Sequence, residues 1–197
     1  VMFTDIAAFT TLSERMDASE TTKLLNHHFA ILCRAVDQHG GTVDKFLGDG
    51  MMAFFGAPDR LEEHAERAVL AALQIRDELA EDNAQARREG REPLIVRIGI
   101  HTGPVTVGNI GASDRVNYTI IGDTVNVSQR LQGLGKTLAF DEETPIVISS
   151  ETAARLDAGF DILSAGRHLL RGRGEPTEVF LVKGRRIGAI GERSLAG

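Results

Sequence analysis

A single cysteine, Cys33, stands in the 197 residues, so no intrachain disulfide and no cysteine-rich metal site can form. Positive charge is also short: 22 Lys and Arg face 28 Asp and Glu, for a net charge of −6. That balance argues against a general nucleic-acid binder, which carries a basic face. A nucleotide site survives it, because a few local arginines outweigh a weak global charge. No apolar run approaches the roughly 18 to 20 residues that span a bilayer, and no signal peptide is visible. The expectation is a cytoplasmic domain with no membrane contact in this segment. The six histidines show no metal-ligand spacing. His27, His28 and His64 read as surface or boundary residues, and Cys33 in HHFAILCRAV reads as a buried thiol.

What is there is an ordinary folded composition, 42% apolar and 25% charged, enough for one domain with its own core. The chain opens in mid-strand at Val1, and a piece of a longer protein is expected. Val1 to Ile6 reads as a strand, then Phe9 to Met16 and Ala18 to Gln38 as helices. Thr42 to Leu47 and Met51 to Phe55 read as strands joined at Gly48-Asp49-Gly50. Leu61 to about Arg88 is a long amphipathic helix. Leu94 to His101 and Val105 to Asn109 are expected to form a second hairpin around Gly103-Pro104. A strand at Val116 to Ile121 precedes a helix from Thr124 to Leu134, closed by Gly135. A strand at Ile146, a short helix from Ser150 and strands near His168 and Val179 follow. The fold class is α+β. Its start matches a ferredoxin-like βαββαβ core, with helices on one face of a mostly antiparallel sheet, and a C-terminal β/α extension follows. Residues 1–183 form the domain, and 184–197 read as a flexible tail.

The chemistry concentrates at two aspartates, Asp5 in VMFTDIAAFT and Asp49 in DKFLGDGMMAFFG. Each ends an apolar run where the chain turns sharply, so each carboxylate can be held rigidly at a sheet rim. Two such carboxylates suit Mg²⁺, which takes hard anionic ligands together with substrate phosphates. Two-metal sites clamp the attacking and leaving oxygens of a displacement. The backbone of Ile6 to Thr10, at a helix start, suits a triphosphate. Asn126 and Arg130 in GDTVNVSQR share a helix face; an amide can orient a ribose and a guanidinium can bind developing phosphate charge. Arg97 in an apolar strand needs an anionic partner such as a phosphate. Arg171 and Arg173 flank Gly172 in a loop. Two patterns are decoys. Gly48 to Ala53 fits a loose dinucleotide motif but leads into a strand, not a helix. Gly135-Lys136-Thr137 lacks the leading glycine of a phosphate loop, because position 130 is arginine.

FTDIAAFT, KFLGDGMMAFFG, VRIGIHTGPVTVGNIG and YTIIGDTVNVSQR, in this order, resemble a class III nucleotidyl cyclase catalytic domain. The resemblance implies an adenylyl cyclase that turns ATP into cyclic AMP and pyrophosphate. It implies two Mg²⁺ or Mn²⁺ ions held by Asp5, Asp49 and the Ile6 carbonyl, with Ala8, Phe9 and Thr10 in the phosphate turn. Lys45 and Thr119 match the purine-reading pair, with Ile120 beside the purine. Asn126 and Arg130 match the ribose and transition-state residues, and Arg97 and Arg171 the triphosphate contacts. Ala8 stands where glycine is usual, and Leu138 to Glu143 reads as an insertion. The resemblance implies that metal ligands and Arg97 come from one chain and Lys45, Thr119, Asn126, Arg130 and Arg171 from the other, in a head-to-tail homodimer with two sites. Thr119 in place of the commoner Asp resembles the bicarbonate-responsive subgroup. Losing that negative charge beside Lys45 would let a small anion approach, which implies bicarbonate as an activator. The alternatives are a guanylyl cyclase and an inactive nucleotide-binding regulatory domain.

Overall fold

The computed structural model describes residues 1–112, 115–139 and 141–186. In chain order its elements are β1 (Met2–Ile6), α1 (Phe9–Ser13), α2 (Ala18–Gln38), β2 (Gly41–Leu47), β3 (Gly50–Phe55), α3 (His64–Arg88) and β4 (Val96–Ile100). Then come β5 (Thr106–Ala112), β6 (Arg115–Ile121), α4 (Asp123–Leu138), β7 (Ile146–Ser149), α5 (Ser150–Ala153), β8 (Phe160–His168) and β9 (Thr177–Arg185). The main sheet has the order β2-β3-β1-β4-β7-β9-β8. Its first four strands are antiparallel throughout, in the ferredoxin-like order. Among the described residues, only β7 and its neighbour β4 run parallel.

Side-chain alternation divides the sheet between two cores. Met2, Ile6, Ile98 and Ile100 pack with α2 and α3, where alanines such as Ala68 and Ala72 allow close approach. The N-terminus of α2 is set by a reciprocal cap: Asp17 accepts from the Glu20 N–H at 2.8 Å, and Glu20 accepts from the Asp17 N–H at 3.0 Å. Phe3 points to the other face, with Met52, Phe54 and Ile120. That face is covered by α4 as well. A Cβ at Gly99 would lie 2.2 Å from the Gln132 backbone nitrogen, so only glycine lets α4 sit so low on β4. Helices therefore cover both faces, α2 and α3 on one and α4 on the other.

Several expectations give way here. β4 and β5 do not pair, because β4 already has β1 on one edge and β7 on the other; β5 pairs with β6 in a separate two-stranded sheet. Gly135 does not end α4, which runs on to Leu138. Its lack of a side chain instead lets α4 approach Pro145 and Arg97. β9 runs to Arg185, and residues 187–197 of the expected tail lie outside the described residues. Within the expected insertion, Phe140 is also outside them. Glu143 is a structural tie: its carboxylate accepts from Asn83 at 2.8 Å and its carbonyl from the Val96 N–H at 2.8 Å. Cys33 is only partly buried, and burial pushes its thiol pKa up.

His28 is not a surface residue: it is 1% exposed, and neither ring nitrogen has a hydrogen-bond partner. Burial lowers its pKa from 6.5 to about 4, helped by His27 and opposed by Asp82. The folded chain therefore holds His28 neutral while the unfolded chain protonates it near 6.5. Stability present above that value should be lost as pH falls toward 4, by up to about 3 kcal/mol from this residue. Buried His101 is shifted the same way, also to about 4, and adds to the loss. Urea unfolding at pH 7 and pH 5 should show the drop. His28→Leu should flatten it partly, leaving the share of His101.

Candidate active site

The two aspartates meet at one end of β1. Asp5 is in register with Arg97 across β1 and β4, and Arg97 donates to Asp5 Oδ2. Gln132 of α4 donates to the same oxygen at 3.4 Å. Asp49 sits in the turn between β2 and β3. Gly50 beside it lies so close to β1 that a Cβ would be 2.3 Å from the Thr4 carbonyl oxygen. That contact delivers Asp49 to the Ile6 N–H, from which its Oδ2 accepts at 2.9 Å. Loss of water raises the Asp49 pKa, and the nearby Asp5 charge raises it further; hydrogen bonds and Arg97 oppose the rise. Two carboxylates that repel each other in this way form a place where cationic charge is stabilising.

Between β1 and α1 the chain turns through Ala8, whose φ of 55° is left-handed. Among the described residues it is the one non-glycine with positive φ. A side chain there costs roughly 1 to 2 kcal/mol, which is the physical reason glycine is usual in this turn. Ala7 donates to the Ile95 carbonyl at 2.7 Å, and Phe9 and Thr10 open α1. Arg97 needs an anionic partner, such as a phosphate. In this structure its anion is Asp5, and its Nε is buried without a partner.

A second cluster lies where β2 meets β6. Lys45 Nζ donates to Thr119 Oγ1 at 3.1 Å, so the expected pair is in contact. Sequence reasoning missed its third member. Thr119 Oγ1 donates to Asp44 Oδ2 at 2.6 Å, and the Ile120 N–H donates to the same oxygen at 3.3 Å. The Asp44 side chain is 1% exposed. Strict alternation would send Asp44 and Lys45 to opposite faces. The register of β2 on β3 slips between Val43 and Lys45, and this bulge brings both to Thr119.

On α4, Asn126 is exposed, and Arg130 lies against the β8–β9 loop at Gly172. Arg130 Nη1 is buried without a partner. Arg171 is exposed in that loop, whereas Arg173 donates to Asp123 at 2.7 Å. Successive helical residues turn by about 100°. Asn126 and Arg130 thus share one face of α4, while Ser128 and Gln132 face the sheet and Asp5. Among the described residues, the hydrogen-bond partners of Asp5 and Asp49 are Arg97, Gln132 and the Ile6 N–H, and neither Asn126 nor Arg130.

The family model for the adenylate and guanylate cyclase catalytic domain matches residues 1–183. The chain belongs to this family. Adenylate cyclase 1 of Rhizobium meliloti is 36% identical over 183 residues, 93% of this chain and 27% of that protein. The adenylate cyclase of Anabaena cylindrica is 36% identical over 137 residues, again 27% of its length. The chain thus spans about a quarter of these relatives. Among solved structures, the adenylyl cyclase CyaB from P. aeruginosa is similar at 35% identity and a TM-score of 0.85, covering 94% of this chain and 93% of that one. The guanylyl cyclase Cya2 is similar at 32% identity and 0.81, covering 95% and 92%.

Both purine classes thus share this cyclase fold, and side chains must separate them. Among the described residues of the cyclase domain no three His, Cys, Asp or Glu side chains gather around a metal position. The site offers two mutually repelling carboxylates and nearby backbone oxygens. That donor set fits Mg²⁺, which binds through one or two carboxylates and completes its shell with phosphates and water. A separate cleft of about 690 Å³ lies between α1, α2 and α3, lined in part by Leu24, His28 and Leu79; neither residue cluster reaches it. No described helix is long and apolar enough to cross a membrane.

Proposed function

We propose that this cyclase domain converts ATP to 3′,5′-cyclic AMP and pyrophosphate at two sites shared by a head-to-tail homodimer. The observation that carries the shared site is the division of its residues. Asp5, Asp49 and Arg97 face one way, and Asn126 and Arg130 face another on the far side of α4. A second copy brings the two halves together. Exposed apolar residues on β2 and β6, including Phe46, Leu47, Val116 and Tyr118, support such a covered face.

Asp5, Asp49 and the Ile6 carbonyl would hold two Mg²⁺ or Mn²⁺ ions, which supply acidification of the ribose 3′-hydroxyl and neutralisation of phosphate charge. The hydroxyl attacks the α-phosphorus in line and pyrophosphate leaves. Ala8, Phe9 and Thr10 cradle the phosphates through their backbone, and Arg97 and Arg171 bind the triphosphate. From the partner, Asn126 orients the ribose and Arg130 stabilises charge on the transferring phosphoryl group, as expected where catalysis is positioning plus electrostatics. Lys45 and Thr119 read the purine edge beside Ile120. The domain would act in cytoplasmic cyclic-nucleotide signalling.

Turnover of ATP and GTP across protein concentration tests this reading. ATP should be preferred, and specific activity should rise with concentration as dimers form. Equal use of GTP would remove the adenylyl assignment and favour the guanylyl alternative. No product with Mn²⁺ at high concentration would favour the inactive regulatory domain. Lys45→Ala should cut ATP turnover at least about tenfold, because a buried polar partner is left unpaired.

Activation by bicarbonate rests on the Thr119 resemblance alone. Thr119 does not leave the position free of negative charge, since Asp44 keeps a carboxylate beside it. Sodium bicarbonate should raise turnover over equal sodium chloride at one fixed pH. Equal rates would remove the activation and leave the cyclase reading intact.

A further inference from the structure

A hydroxyl carries one proton to donate and two lone pairs to accept with. At Thr119 two of these three are committed. The proton goes to Asp44 Oδ2 at 2.6 Å, because an ionised carboxylate can only accept. One lone pair takes the Lys45 ammonium at 3.1 Å. What remains for a substrate is a single lone pair. Thr119 is 6% exposed and the Asp44 side chain 1%, so bulk water does not compete for either group. The Ile120 N–H, donating to the same Asp44 oxygen at 3.3 Å, fixes the carboxylate from its backbone side. Asp44 Oδ1 lies 3.2 Å from Lys45 Nζ, yet no aligned hydrogen bond reaches it. The ammonium therefore neutralises the buried charge while keeping N–H donors for another acceptor.

We propose that Asp44 is the positioning residue that locks the Thr119 hydroxyl as an acceptor, so that the site takes a 6-amino purine and rejects a 6-oxo purine. This deepens the ATP reading above and rests on it. The complementarity follows atom by atom. Adenine offers an N–H at its 6-amino group, which meets the free lone pair of Thr119. Adenine N1 has a lone pair, which can meet a Lys45 donor. A 6-oxo purine reverses both: its oxygen faces the lone pair of Thr119, and its N1–H faces the ammonium. Without Asp44 the hydroxyl would be free to rotate and donate to that oxygen. Thr119 alone, then, does not specify adenine; the acceptor state comes from the bulged Asp44 behind it.

The test compares kcat/KM for ATP and inosine triphosphate, a 6-oxo purine without a 2-amino group, in the full chain and in Asp44→Asn. The asparagine can turn its amide toward Thr119 and release the hydroxyl proton. The ATP preference should fall at least about tenfold, with the inosine triphosphate rate rising in absolute terms. A purely structural role cannot produce that rise. Asp44→Glu, if it restores the carboxylate contact, should restore the preference. Equal loss for both nucleotides in a folded Asp44→Asn chain would overturn the proposal. If the variant does not fold, the unmodified chain still decides. Purine riboside triphosphate, which has no 6-substituent, should then be a better substrate than inosine triphosphate. Equal or better use of inosine triphosphate would overturn the proposal. Failure of the ATP reading looks different: the unmodified chain would then make no cyclic AMP or would prefer the 6-oxo nucleotide outright.

Discussion

Asp49→Ala should abolish cyclic AMP formation, by at least about a thousandfold, while leaving the chain folded; losing one of the two carboxylates forfeits several kcal/mol of charge stabilisation. Asp49 lies in the turn between β2 and β3, partly exposed, and its side chain ties to backbone N–H groups, that of Ile6 at 2.9 Å among them, rather than into the apolar core. Asp5→Ala should be equally inactive but less stable. It strands Arg97, whose side chain is only 17% exposed, at a cost of about 1 to 3 kcal/mol. The two variants therefore separate activity from stability. Product formation in Mg²⁺, read beside thermal unfolding, checks both. Manganese binding followed by electron paramagnetic resonance adds a readout that does not pass through turnover. Near-wild-type activity of Asp49→Ala in Mg²⁺ would refute the metal assignment.

Asp5 and Asp49 are legible in the sequence because each ends a run whose apolar alternation defines a strand, and the rim of a sheet is where a carboxylate stays accessible. The same logic fails at Asp44. Alternation places it opposite Lys45, and only the bulge seen in the β2–β3 register puts the two side by side. Nothing in the residue order announces a bulge without a glycine or a break in pattern. The β4–β5 hairpin failed for a related reason. Gly103-Pro104 is a sound turn signal, but pairing depends on which strand edges are already taken, and both edges of β4 are occupied by strands distant in sequence. From sequence Gly135 reads as a stop, because helix ends favour glycine. It serves instead as a contact point for Arg97 and Pro145, which local propensity cannot reveal. His28 shows the same limit, since its neighbours His27 and Cys33 are more exposed and only tertiary packing tells them apart. The buried charge on Arg97 demands an anion. Which anion was a matter of register: Asp5 lies directly across the ladder.

Mixing two dead chains should restore activity. Asp49→Ala damages the carboxylate half of a site, and Arg130→Ala damages the half carried on the other face of α4. If each site draws one half from each chain of a homodimer, an Asp49→Ala homodimer and an Arg130→Ala homodimer both have two broken sites. The heterodimer has one site carrying both lesions and one site carrying neither. Random exchange makes half of the dimers mixed, and half of their sites whole, so recovery should approach roughly a quarter of wild-type activity. The geometry requires this outcome if the reading is right. Asn126 and Arg130 lie on a different face of α4 from Gln132, which reaches Asp5, and this division favours halves drawn from two chains. Subunit exchange must be confirmed independently, for example by pulling down one tagged variant and detecting the other. If exchange is complete and the mixture stays inactive, both residues serve the same site from the same chain, and the shared-site architecture is wrong. Recovery that scales with the product of the two chain concentrations would identify the active species as the mixed dimer.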